Sequence, residues 1–178
     1  MSKTNKLVFD GLHIVAWIIF VGLCIEAGAL LVNFIFVLFK PDVVHRLYQK
    51  MDLSEMYAYS KVAFFSMYGL LLSISVLKAG LFYIVISLLL KLNLTQPFNP
   101  FVAKKILRIS HYTLSIGLLS AIARQVAQNL SSEGVSTDGL NQFWGDWQAF
   151  ILMAAIIYVI AIIFKKGVDL QTENDLTV

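Results

Sequence analysis

Two long apolar stretches of this 178-residue chain each carry one charge near the middle, of opposite sign: Glu26 in the first and Lys78 in the second. An ionised side chain surrounded by hydrocarbon is costly unless it is paired, so these two residues form a candidate buried ion pair. Such a pair has two uses. It fixes helix register and packing, or it binds a polar ligand or relays protons, because intramembrane ionisable groups mark such pathways. Arg124, further along the chain, has the length to reach toward Glu26 from a third apolar stretch. Helical spacing adds Asn33 to the face of Glu26, with Gly22 and Ala29, and places Tyr158 between Ala154 and Ala161 on the fourth stretch. The candidate intramembrane site is therefore Glu26, Lys78, Arg124, Asn33 and Tyr158.

The elements that must position these groups are four apolar segments. A hydrocarbon core about 30 Å thick takes roughly 20 helical residues to cross, because backbone N–H and C=O groups find no water there. Residues 12–39, 62–90, 106–126 and 147–164 meet that length or come close to it. With 58% hydrophobic and 14% charged residues and a mean hydropathy of +0.76, the chain cannot supply the polar cover that a soluble globule of this size needs. The expected fold is all-α: one integral membrane four-helix bundle over residues 1–178, with a short acidic tail at 167–178. Counting 1.5 Å per residue from the helix ends puts Glu26 and Lys78 at nearly the same depth.

Charge sets the expected orientation. Four spans place both termini on one side, with Lys3, Lys6, Lys91, Lys104, Lys105, Arg108, Lys165 and Lys166; Lys40, Arg46, Lys50, Lys61 and Arg124 lie on the other. The short basic loop after Lys91 contains no acid, whereas the last loop contains Glu133, Asp138 and Asp146. Both termini are therefore expected in the cytoplasm. The net charge of +3 is small and sits at helix ends, which gives no basis for direct nucleic-acid binding. Lys3 and Lys6 precede an apolar run too long for a signal-peptide core, so the run reads as an uncleaved first helix.

The two outer connections differ. Val43, Val44, Leu47, Met51 and Met56 recur at roughly helical spacing after Pro41, which predicts a short amphipathic helix on the outer membrane surface. The second connection, rich in Ser, Asn and Gly, leads into Phe143, Trp144 and Trp147, expected as an interfacial aromatic belt. On the third helix Ser110, Thr113, Gly117, Ser120 and Arg124 repeat at steps of three and four, a small and polar stripe for close helix packing.

Metal, cofactor and catalytic chemistry find little purchase. His13 and His111 lie near the same ends of their helices, yet two isolated histidines lack any supporting ligand spacing, and no cofactor is expected. The lone Cys24 forms no intramolecular disulfide and reads as a packing residue. The chain contains no HExxH, no Gly-rich phosphate loop and no GxSxG, so it is not expected to be an enzyme.

The cytoplasmic side is more distinctive. Thr95-Gln96-Pro97-Phe98-Asn99-Pro100 leads into the basic helix start at Lys104, Lys105 and Arg108, and the chain closes with Leu170-Gln171-Thr172-Glu173-Asn174-Asp175-Leu176-Thr177-Val178. In its Pro-Phe loop, its tail and its four-span layout this resembles the bacterial YoaS-like membrane family, a domain of unknown function (2975). That resemblance implies a bacterial inner-membrane protein and a partnership with a cytoplasmic helix-turn-helix DNA-binding regulator. The candidate partner-binding residues are Pro97, Phe98, Lys104, Lys105, Arg108, Leu170, Glu173, Asn174, Asp175 and Leu176. After Gly167, which can end the helix, Asp169, Glu173 and Asp175 make the tail acidic and suited to a basic surface. Two function classes follow: a membrane-anchored regulatory or sensory protein, or a small transporter or ligand-binding protein using Glu26 and Lys78. The lipid bilayer is the certain partner of either, and a homo-oligomer would supply the paired halves that many transporters have.

Overall fold

The computed structural model describes the backbone of residues 3–92 and 98–176, and the side chains within 7–49, 51–92 and 98–173. Among the described residues every regular element is helical. Four helices are long and apolar enough to cross a membrane: α1 (Lys3–Phe39), α3 (Lys61–Lys91), α4 (Pro100–Ser132) and α5 (Trp147–Leu176); the short α2 (Ser54–Tyr59) lies between the first two. The chain is an integral membrane four-helix bundle. Local chemistry starts two of the helices: the Ser60 hydroxyl accepts from the Ala63 amide at 3.3 Å, and the Asn99 side chain accepts from the Val102 amide at 2.9 Å, ahead of Pro100.

The helices pack in the order α1, α3, α4, α5, each mainly on the next, so α1 and α5 lie at the two edges. The buried residues of α1 are Ala16, Leu30 and Val37, with Phe20, Leu23, Ala27 and Phe34 half-buried between them, an apolar seam in steps of three and four. This differs from the expected small and polar stripe, since Gly22 is exposed and Glu26 and Asn33 only flank the seam. On α4 the expected stripe is found at Ser110, Thr113, Gly117 and Ser120, all buried, but Ala123 and Ala127 continue it in place of Arg124. Small residues there let backbones approach: a Cβ on Gly117 would lie 3.1 Å from the Ile151 nitrogen and 3.2 Å from the Trp147 oxygen.

Those contacts also fix levels. α4 runs fifteen residues beyond Gly117, about 22 Å at helical rise, yet α5 begins beside Gly117. The connection 133–146 therefore descends along the bundle before α5 starts. Its apolar residues Val135, Leu140, Phe143 and Trp144 are buried with Val44, Leu47, Met51, Leu53 and Met56 of the first connection, forming a packed cap. Two expectations change here. Residues 41–59 are two 3-10 turns, Pro41–Arg46 and Tyr48–Lys50, followed by α2, rather than one surface helix, because Leu47 and Met51 are extended and Gln49 is left-handed (φ 58°). Phe143 and Trp144, at 3% exposure each, fill the cap instead of standing at the interface.

Candidate functional site at the junction of cap and bundle

The register of α1 against α3 is set by two contacts. The Tyr68 hydroxyl donates to the Leu30 carbonyl at 3.0 Å, both residues being fully buried, and the rings of Phe20 and Tyr83 lie 6.2 Å apart. This places Glu26 opposite Ser75, whose hydroxyl donates to Glu26 Oε1 at 2.9 Å. Lys78 is one turn further along α3, and its Nζ donates to the Phe143 carbonyl at 3.2 Å. The expected direct ion pair is thus replaced by two separate hydrogen bonds.

Helical side chains lean toward their own N-terminus, and α1 and α3 are antiparallel, so Lys78 leans toward the cap and Glu26 away from it. At the cap the descending connection offers Lys78 a carbonyl. Two carboxylates act on its charge from nearby: Glu26 and, from the connection, Asp146. Sequence reasoning missed Phe143 and Asp146 because a backbone acceptor has no residue-type signature and Asp146 stands in a loop of ordinary polar composition.

The other expected members lie elsewhere. Asn33 is half-buried beside the α1 seam. Arg124 is exposed on α4, in a pocket with Gln125, Gln128 and Trp147 rather than near Glu26. A guanidinium on the buried face would lose its water without a partner, whereas one residue outside that face keeps it solvated. Tyr158 is 47% exposed, at the flank of the α5 face on which Ala154 and Ala161 are buried.

The rest of the cap is joined by polar contacts between its two connections. The Tyr59 phenol donates to Glu133 Oε2, and the Ser136 amide donates to Glu55 Oε2 at 3.1 Å. The Glu133 carboxylate, as hydrogen-bond acceptor and as a negative charge, holds the Tyr59 phenol above its ordinary pKa. Asp52 is held below the usual carboxylate range, first by the Ser54 hydroxyl, at 2.6 Å, and then by the Ser54 amide, at 3.0 Å.

At the opposite end of the bundle, α5 does not stop at Gly167. It continues as one helix to Leu176, and Gly167 instead accommodates the Phe98 ring, which also packs on Phe164 with centroids 5.3 Å apart. Lys91 and Lys105 both sit over the Phe101 ring, at 5.2 and 5.4 Å from its centroid. Lys104 and Arg108 are exposed on α4, and Leu170 and Glu173 are exposed on α5. Pro97 and the side chains of Asn174, Asp175 and Leu176 lie outside the described residues. His13 accepts a hydrogen bond from Trp17 Nε1 at 3.1 Å, while His111 lines a separate pocket with Arg108 and Tyr112.

Residues 47–178 match a family described as a protein of unknown function (DUF2975). The chain belongs to this family. No curated protein and no solved structure matches it. Within the DUF2975 span lie Ser75, Lys78, Phe143 and Asp146, together with the whole basic end of α4 and the α5 extension; Glu26, on α1, lies before it.

Proposed function

We propose that this DUF2975 protein is a non-enzymatic sensory or regulatory protein of a bacterial inner membrane. Both termini are cytoplasmic, and its α5 extension holds a helix-turn-helix transcription regulator. One observation carries the reading: α5 is a single helix from Trp147 to Leu176, beginning four residues after the carbonyl that Lys78 grips. A change at the cap that releases Phe143 therefore has a rigid route to the opposite end. Edge position supports this, since α5 packs mainly on α4 and can shift without repacking α1 or α3. The basic residues Lys91, Lys104, Lys105, Arg108, Lys165 and Lys166 favour placing the α5 extension in the cytoplasm. The transport reading needs Glu26, Lys78 and Arg124 along one path, and the exposed position of Arg124 beside Trp147 weighs against it.

The test is in-cell crosslinking with mass spectrometry at native expression, comparing the full chain, a chain ending at Lys166 and Lys78→Met. Capture of a DNA-binding protein by the full chain, lost on truncation and altered by Lys78→Met, is the expected result. If the full chain captures no such protein, or captures it equally well when truncated, the reading fails.

A further inference from the structure

We propose that the groove between α4 and α5 at the end bearing the α5 extension binds one anionic glycerophospholipid, independently of any regulator. The groove has a volume of about 390 Å³ and is lined by residues of both helices. Its floor is apolar, with Leu107 of α4 and Ala161 and Ile162 of α5, and its rim carries Lys104, Lys165 and Asp169. An acyl chain fits the floor, and a phosphodiester fits the rim.

Depth and charge both favour a lipid as the occupant. Lys165 is eighteen residues beyond Trp147, about 27 Å along α5, and it ends an apolar run that begins at the level of Gly117. That is close to the thickness of a hydrocarbon core, so Lys165 stands at headgroup level with the apolar floor on its membrane side. Among the described residues neither Lys104 nor Lys165 has a carboxylate within 4 Å, and both are exposed. Asp169 on the same rim suits a headgroup hydroxyl, which a glycerol headgroup supplies in addition to its net negative charge. Arg108 and Lys105, beside Lys104 in an adjoining pocket, extend the positive field around the site. Basic pockets between spanning helices on the cytoplasmic side are a recognised setting for anionic lipid headgroups.

The experiment is native mass spectrometry of the detergent-purified full chain, titrated with phosphatidylglycerol, phosphatidylcholine or inorganic phosphate. Wild type, Lys104→Gln, Lys165→Gln and the double variant are compared, with Lys40→Gln at the other end of the bundle as control. The expected result is a one-to-one phosphatidylglycerol adduct preferred over phosphatidylcholine, weakened about five-fold by each substitution and unaffected by Lys40→Gln. Equal retention of the two lipids, or unchanged affinity in the double variant, overturns the proposal. So does displacement of the adduct by millimolar phosphate, which would make the rim a site for free phosphate. Unchanged melting of the variants in phosphatidylcholine micelles distinguishes a lost site from a lost fold.

Discussion

The Lys78 ammonium, on α3, donates to the backbone carbonyl of Phe143, sixty-five residues later, at 3.2 Å. A spanning helix thereby holds the connection that descends to the start of α5. Because the donor is charged and half-buried, the bond is stronger than one between neutral groups, and Glu26 and Asp146 provide the compensating negative charge.

Lys78→Met keeps most of the length of the side chain and removes the donor. Loss of a hydrogen bond from a charged group is worth about 1.5–3 kcal/mol, offset in part because no ammonium has to be desolvated. The variant is expected to melt lower and to exchange the amides of residues 141–147 faster in hydrogen-exchange mass spectrometry. Unchanged exchange in that segment would show that the contact does not hold the connection.

Two glycines of similar appearance in the sequence differ in consequence. Gly117→Ala drives a Cβ to 2.7 Å from Ile151 Cγ1 and close to the α5 backbone, whereas Gly22→Ala meets nothing within 4 Å. Gly117→Ala is expected to destabilise by about 1–3 kcal/mol. Gly22→Ala should be neutral or stabilising by up to about 1 kcal/mol through helix propensity. Thermal unfolding of both in one detergent checks the contrast, and equal melting temperatures would contradict the packing described.

Gly167 and Phe98 should be coupled. A Cβ on Gly167 would come within 2.5 Å of Phe98 Cδ1, so the gain from a better helix former is cancelled while the ring is present. In a double-mutant cycle, Gly167→Ala is expected to stabilise the Phe98→Ala protein by about 1 kcal/mol more than it stabilises wild type. Additive effects would mean that the ring moves aside freely.

The phenol of Tyr59 gives a pH dependence with a definite sign. Its folded-state pKa lies above its ordinary value near 10 because of Glu133. The contribution of this contact to stability is fully present below the unfolded pKa and is lost as pH rises through the folded one. The melting temperature of wild type relative to Tyr59→Phe should therefore be constant at neutral pH and fall above about pH 10. A difference that is flat across that range would count against the Tyr59 to Glu133 contact.

The sequence by itself determined the four spans and the closely packed stripe on α4, because hydropathy over about twenty residues and the spacing of small residues are local properties. It also singled out Glu26 and Lys78, since a charge in an apolar run is visible without knowing its neighbours. Tertiary structure alone decided what those charges meet. The α1–α3 register, fixed by Tyr68 on Leu30, gave Glu26 a serine, and the descent of residues 133–146 gave Lys78 a carbonyl. Neither the register nor the path of a loop is written in residue types. The same holds for Arg124 and Gly167: one step of about 100° around α4 moves the guanidinium off the buried face, and the Phe98 ring turns a helix-ending glycine into a packing site within a continuous helix.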